Sequence, residues 1–184
     1  MEIPNFDKII MAYVVGSNVY LNYFFTIISY SVYAYIIFAI VYFLKKKNMR
    51  GFFLYTSNLL IGLGIITFLK YTIARPRPFQ IIREDPSFPS RHSFVSMFTL
   101  TSLYDHFHKI ARLMLIIYSL LILAGRLYLG VHYPSDVMIG SLLGVIFPKL
   151  IPQKFSFWVF NLICNFLKTI KKVLIKIKNI IHVG

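Results

Sequence analysis

A chain of 184 residues that is 58% hydrophobic and 17% aromatic, with mean hydropathy +0.69, is too apolar for a soluble domain and too short for a second folded unit. Twenty Lys and Arg against six Asp and Glu leave a formal charge of +14, which on a chain with no soluble basic domain suits anionic lipid head groups rather than nucleic acid. One cysteine, Cys164, excludes an internal disulfide framework. The first twenty residues lack the basic start, apolar core and small-residue site of a cleavable signal, so insertion is expected to rely on the spans themselves.

Residues 1–20 place Ile3, Phe6, Ile9, Ile10, Tyr13 and Val14 at helical spacing with Asn5, Asp7 and Lys8 between them, which predicts a short helix lying in the membrane interface. Residues 21–44 are apolar and aromatic without interruption, long enough for a first span. Lys45, Lys46, Lys47 and Arg50 follow at once and mark the cytoplasmic side. A second span is expected from Phe52 to about Leu69, with Gly62 and Gly64 as small contact residues. The loop beyond it gathers Lys70, Arg75, Arg77 and Arg83 with Pro76, Pro78, Pro86 and Pro89, which forbid regular helix through most of its length. In this loop Arg75 is expected only to snorkel at the end of its span.

Ser90 is expected to cap a third span over about 92–104, its free amides turned back toward the basic loop. After a polar connection at 105–112, whose His106 and His108 are expected to be solvated, come a fourth span at about 113–129 and a fifth at about 137–151 with Gly140 and Gly144. From Phe155 to Ile180 apolar positions recur at three and four, with Lys168, Lys172 and Lys176 on the other face; this predicts a basic amphipathic helix on the membrane surface, with a sixth span as the competing reading. The expected architecture is therefore one all-α membrane domain over 1–184, an interfacial helix at 1–20, a helical core at 21–151 and a basic tail at 153–184. With five spans, every Lys-rich segment falls on one side. The loops after the second and fourth spans then meet on the other.

That opposite face collects Lys70, Arg77, Ser90, Arg91, His92, Arg126, His132 and Asp136. Cations and a helix N-terminus describe a pocket for a multiply charged anion, and phosphate is the anion they bind best. A turn at Tyr133-Pro134 can fold His132 back onto the Asp136 carboxylate, leaving the second imidazole nitrogen available as nucleophile or base. The plainer alternative pairs Arg126 with Asp136 at a helix end and leaves His132 a capped turn residue. A metal held by His92, His132 and Asp136 is disfavoured by the surrounding cations.

Three segments in this region resemble motifs of the type 2 phosphatidic acid phosphatase superfamily, membrane lipid phosphatases related to the vanadium haloperoxidases. Lys, six residues, then Arg-Pro is matched by Lys70 and Arg77-Pro78; Pro-Ser-Gly-His by Pro89-Ser90-Arg91-His92; and Ser-Arg, five residues, His, three residues, Asp by Gly125-Arg126, His132 and Asp136. The resemblance implies a helical bundle in which His132 forms a phosphohistidine, Asp136 orients it, and His92 protonates the leaving group and then activates water. Lys70, Arg77, Ser90 and Arg126 would hold the phosphoryl oxygens, and neither metal nor cofactor would be needed.

Two positions depart from the pattern. Arg91 stands where the family has Gly and adds a cation suited to a second phosphate, and Gly125 stands where it has Ser. The expected activity is therefore hydrolysis of a lipid phosphate or diphosphate at the outer face of a bacterial cytoplasmic membrane. Undecaprenyl diphosphate is the first substrate expected, with lipid A 1-phosphate and phosphatidylglycerophosphate as alternatives. A lipid-linked phosphotransferase or a non-catalytic lipid-phosphate binder is the competing class. The expected partners are the lipid substrate and anionic lipids of the bilayer, with no nucleic acid; the sequence carries no signal for oligomeric state.

Overall fold

The computed structural model describes residues 3–79 and 85–181, and every regular element among them is helical. In order they are α1 (Asn5–Val14), α2 (Val19–Tyr30), α3 (Val32–Lys45), α4 (Met49–Ile73), α5 (Arg91–Leu103), α6 (Lys109–Tyr128), α7 (Pro134–Leu150) and α8 (Gln153–Ile181), with a short 3-10 turn at Tyr104–His106 before α6. Arg83 and the tail side chains beyond Lys172, Lys176 among them, lie outside the described residues.

Three segments are long and apolar enough to cross a bilayer: Val19–Lys45, Met49–Ile73 and Lys109–Tyr128. A fourth is reached only if α7 and the first part of α8 count as one span bent by 95°. The first expected span is therefore real but jointed. Its break falls at Ser31, whose hydroxyl donates back to the Ile28 carbonyl (2.7 Å) and accepts from Tyr118 (2.6 Å). Polar side-chain bonds of this kind satisfy backbone groups that a helix break frees inside a membrane.

The expected third span, α5, has 13 residues, fewer than a bilayer core ordinarily takes, and lies in the interior of the bundle. Phe94, Phe98 and Leu103 are fully enclosed, and α3, α4, α6 and α7 pack around them. Its fit against α7 is backbone to backbone. A Cβ on Gly140 would stand 2.5 Å from the Ser90 carbonyl oxygen, and one on Gly144 would stand 2.4 Å from that of Phe94. The two glycines therefore draw the N-terminus of α7 against the N-terminus of α5, and the Ser90 amide donates to the Asp136 carbonyl (3.1 Å) across that contact. Gly62 presses on the Phe94 ring, whereas Gly64 has nothing within 4 Å where a Cβ would stand.

The two ends of the bundle differ in charge. One holds Lys45–Lys47, Arg50, the 3-10 turn and Lys149, with Phe43 and His106 in ring contact (5.3 Å) and Arg50 donating to the Gln153 side chain. His106 and His108 are exposed there, as expected. At the other end the C-termini of α4 and α6 meet the N-termini of α5 and α7. The surface helices frame the bundle: α1 leaves Phe6, Ile9 and Tyr13 exposed, and α8 shows Phe155, Trp158, Leu162 and Phe166 on its outer side while the Phe160 ring packs at a tilt against Phe53 of α4 (4.2 Å between centroids). Helices that expose apolar stripes suit a lipid interface. Replacing Gly144 with Ala is expected to lower stability by about 1–3 kcal/mol through overpacking; a thermal melt in detergent should show a reduced midpoint, and an unchanged midpoint would contradict the close contact.

Candidate active site

Four helix ends and two loops build the site. Helix α4 stops where Ala74 takes a left-handed conformation (φ 48°), and Pro76 and Pro78 then keep the chain out of helix. Gly130 does the corresponding work after α6, at φ +64°, a value that favours glycine, and sends the chain into the turn bearing His132. Pro134 then opens α7 with its fixed φ, and the Asp136 carboxylate, two residues on, accepts from the Tyr133 amide through Oδ2 (2.9 Å).

The same Oδ2 stands 3.5 Å from His132 Nδ1, while Asp136 Oδ1 accepts from Arg75 Nη1 (2.8 Å). On the far side of the imidazole, Nε2 lies 3.3 Å from Arg77 Nη1, which also donates to the Val131 carbonyl (2.6 Å). One ring nitrogen thus meets a carboxylate and the other meets a cation. The pairing of Arg126 with Asp136, open on sequence alone, is replaced by the bond from Arg75, and Arg75 does not snorkel: its side chain is 3% exposed. Arg126, buried in the last turn of α6, acts on His132 through its charge.

Asp85 joins the remaining cations. Its carboxylate accepts from Arg77 Nη2 (2.9 Å) and Arg91 Nη2 (3.3 Å) and lies 3.8 Å from Lys70 Nζ. Lys70, almost wholly buried, also donates to the Pro86 carbonyl and to that of Ser87 (3.2 Å). Ser90 caps α5, its hydroxyl accepting from the Ser93 amide (3.4 Å). Beside it His92 is buried, with its ring edge-on to Tyr33 (6.2 Å). Arg91 and His92 line a cleft of about 250 Å³ whose remaining wall is Val32, Tyr33, Ile36, Leu63 and Val95.

The eight residues picked out by motif all lie at this one end of the bundle. Three residues that motif matching passed over lie among them: Asp7, Arg75 and Asp85. The motif spacing selects Arg77 and is silent about Arg75, but a cluster of buried cations requires counter-ions, and six acids in the whole chain leave few to supply them. The two departures also have a place. Arg91 pairs with Asp85, and a Cβ at Gly125 would stand 3.0 Å from Ser29 Oγ and 3.3 Å from the Phe25 carbonyl oxygen, so the glycine answers to the packing of α2 on α6.

Burial and charge tune the titrating groups of the loops. Burial first, then the charges of Arg126, Arg77 and Lys70, push the His132 imidazole well below the usual histidine range, so it is neutral at physiological pH. For Asp85 burial alone would raise the carboxyl, but the charges of Arg77 and Lys70 outweigh it and hold the group below the usual carboxylate range. A neutral imidazole among fixed cations can donate a lone pair to an electrophile whose negative oxygens those cations hold.

Comparison with known proteins bears on this geometry. The PAP2 superfamily model matches residues 51–160, more than half of the chain and all of the span from Lys70 to Asp136. An undecaprenyl-diphosphatase of Sulfolobus acidocaldarius is 31% identical over 116 residues, covering 58% of this chain and 55% of that protein. The bacitracin transport permease protein BcrC of Bacillus licheniformis is 36% identical over 74 residues, covering 40% of this chain and 34% of that one. The chain therefore spans about half or less of the length of these relatives. Among solved structures, Aquifex aeolicus LpxE superposes with a TM-score of 0.63 at 26% identity, over 77% of this chain and 89% of that one. A transmembrane PAP2-type phosphatidylglycerolphosphate phosphatase from Bacillus subtilis has the same fold, with a TM-score of 0.66 at 22% identity over 89% and 85% of the two chains. Motifs, helix arrangement and family match agree: the chain belongs to the PAP2 superfamily.

Proposed function

We propose that the protein hydrolyses a lipid phosphate or diphosphate at the outer face of the membrane through a phosphohistidine on His132. The observation that carries this is the two-sided setting of one neutral imidazole: Asp136 Oδ2 at 3.5 Å from Nδ1, and the Arg77 guanidinium at 3.3 Å from Nε2. Nε2 attacks the terminal phosphorus, an Nε2–P bond forms and the bond from that phosphorus to the leaving oxygen breaks. The leaving oxygen is the lipid alcohol's in a monophosphate and the bridging oxygen of the departing lipid monophosphate in a diphosphate. Protonated His92 gives its proton to that oxygen, and Asp136 stabilises the positive charge gained by His132. Water then attacks phosphorus, His92 takes its proton, and the P–N bond breaks to release phosphate and neutral His132. Lys70, Arg77, Ser90 and Arg126 hold the phosphoryl oxygens throughout, and fixed cations supply the stabilisation a metal would otherwise give.

Several features support a lipid diphosphate, with undecaprenyl diphosphate first. Arg91, at the mouth of the cleft, adds a cation where a second phosphate would lie, and the apolar wall from α3 and α4 suits the first carbons of a lipid chain. The Sulfolobus relative is named for that substrate. An outer-facing site is supported by the Lys45–Lys47, Arg50 and Lys149 end of the bundle lying opposite, on the side expected to face the cytoplasm of a bacterial inner membrane.

Purified protein in detergent with a chelator should release phosphate from one or more of undecaprenyl diphosphate, lipid A 1-phosphate and phosphatidylglycerophosphate. His132→Ala should lower that rate by about a thousandfold or more; an unaffected rate would end the proposal. Because an incoming phosphate competes with Asp85 for Lys70, Arg77 and Arg91, Asp85→Asn is expected to strengthen inhibition by orthovanadate by about tenfold. Weaker inhibition would show that Asp85 builds the pocket and is not displaced from it. The depressed His132 value fixes the sign of the pH response. The nucleophile stays unprotonated as pH falls through the ordinary histidine range, so its acid limb in kcat/KM lies well below that range. Arg126→Gln removes one depressing charge and should move that limb upward; a limb that stays in place would contradict the electrostatic account.

A further inference from the structure

We propose that Asp7, on the surface helix α1, is a positioning residue for the site, acting through Arg75 on Asp136 and through Asp136 on His132. The inference rests on the phosphohistidine reading above. It concerns a residue outside the stretch 51–160 that the family model matches.

Helix α1 exposes Phe6, Ile9 and Tyr13, the last by 87%, yet buries Asp7 completely. An acid on the inner side of a surface helix is costly unless charge and hydrogen bonds meet it. Here they do. Asp7 Oδ2 accepts from Arg75 Nη2 (2.6 Å) and from the Ser135 hydroxyl (2.5 Å), and Oδ1 accepts from the Ser135 amide (2.9 Å). Burial would raise the Asp7 carboxyl, but the hydrogen bonds from Arg75 and Ser135 hold it below the usual range, so it is ionised. The other edge of the same guanidinium donates from Nη1 to Asp136 Oδ1 (2.8 Å) and to Ser135 Oγ (2.7 Å), and its plane lies over the Tyr133 ring (4.2 Å). The segment after α1 is tied down independently, by the Gly16 amide donating to the Tyr128 carbonyl (3.1 Å).

The sum of charges gives this chain its consequence. Asp7, Arg75 and Asp136 together carry one net negative charge. Asp7 offsets the Arg75 guanidinium, so the Asp136 carboxylate remains available to stabilise the positive charge that His132 acquires as its Nε2 bonds phosphorus. Remove the Asp7 charge and Arg75 draws on Asp136 alone; the imidazole then loses much of its counter-charge in the step where it needs it. Substrate binding by Lys70, Arg77 and Arg126 involves none of these atoms. The effect therefore belongs in kcat and not in KM.

In the full-length protein, Asp7→Asn preserves shape and removes charge. It should lower kcat by about tenfold to a hundredfold while KM for the lipid substrate changes by less than about threefold. Asp7→Glu should recover part of the loss, and adding Asp7→Asn to Arg75→Gln should cost little beyond Arg75→Gln alone, because the two act in series. A second readout needs no turnover: the imidazole 15N resonances of His132 should move in Asp7→Asn, although Asp7 does not touch that ring. If Asp7→Asn fails to fold, Ser135→Ala loosens the same carboxylate and should move the same resonances with a several-fold loss of kcat, about three- to tenfold. A wild-type kcat, penalties that multiply independently, or an unmoved His132 resonance in a folded variant would overturn the proposal. Absence of lipid phosphate hydrolysis by the wild type would instead count against the phosphatase reading, while the resonance test of the Asp7 chain would still stand.

Discussion

A guanidinium, a carboxylate and an imidazole persist at the end of an apolar bundle only when each meets a partner, and the Arg75–Asp136–His132 contact is where this requirement falls hardest. Arg75 and Asp136 are nearly free of solvent, and deleting one partner of such a pair commonly costs about 3–5 kcal/mol because the other is left buried and uncompensated. That penalty makes the contact a strong constraint on the surrounding chain. Helix α4 must end where it does, through the left-handed Ala74, to deliver Arg75. Helix α7 must begin at Pro134 so that Asp136 lies in its first turn and can reach Tyr133, Arg75 and His132 together.

Packing elsewhere serves the same arrangement. Gly140 and Gly144 let α7 lie against α5 at backbone distance, which fixes Asp136 relative to Ser90 and therefore relative to His92, two residues into α5. Because α5 is enclosed on all sides, its N-terminus cannot drift without disturbing the core at Phe94 and Phe98. The fixed donors and cations then surround a space that Asp85 now fills from the loop side. A pocket whose positive charge is partly offset by an internal carboxylate has less self-repulsion among Lys70, Arg77 and Arg91, and can exchange that carboxylate for a substrate oxygen.

Much of this could be read from the residues. The apolar runs gave the helices, the Lys clusters gave the polarity of the bundle, and the spaced Lys, Arg, Ser, His and Asp gave the residues that converge. What escaped had physical reasons. Helix α5 reads as an ordinary span because its residues are apolar enough, but it has only 13 residues, and its enclosure by neighbours is a tertiary fact that periodicity does not carry. The break at Ser31 depends on a bond from Tyr118, 87 positions away. Arg75 and Asp7 are 68 positions apart, and nothing local in either segment announces that they meet. Asp85 sits in a loop where proline and arginine dominate the pattern, and its role follows only from the three cations around it. The number of crossings is a further instance: three segments are long and apolar enough to cross, and a fourth depends on whether α7 and the first part of α8, bent by 95° from it, form one span.

The central claim is that the imidazole of His132 faces a cationic cup and bonds phosphorus through Nε2. A structure of the protein with orthovanadate, which adopts the five-coordinate geometry of phosphoryl transfer, tests it most directly. The account predicts vanadium bonded to His132 Nε2, its oxygens on Lys70, Arg77 and Arg126, and the Asp85 carboxylate withdrawn from those cations. Vanadate bonded to another residue, or seated away from His132 with Asp85 still in place, would contradict it.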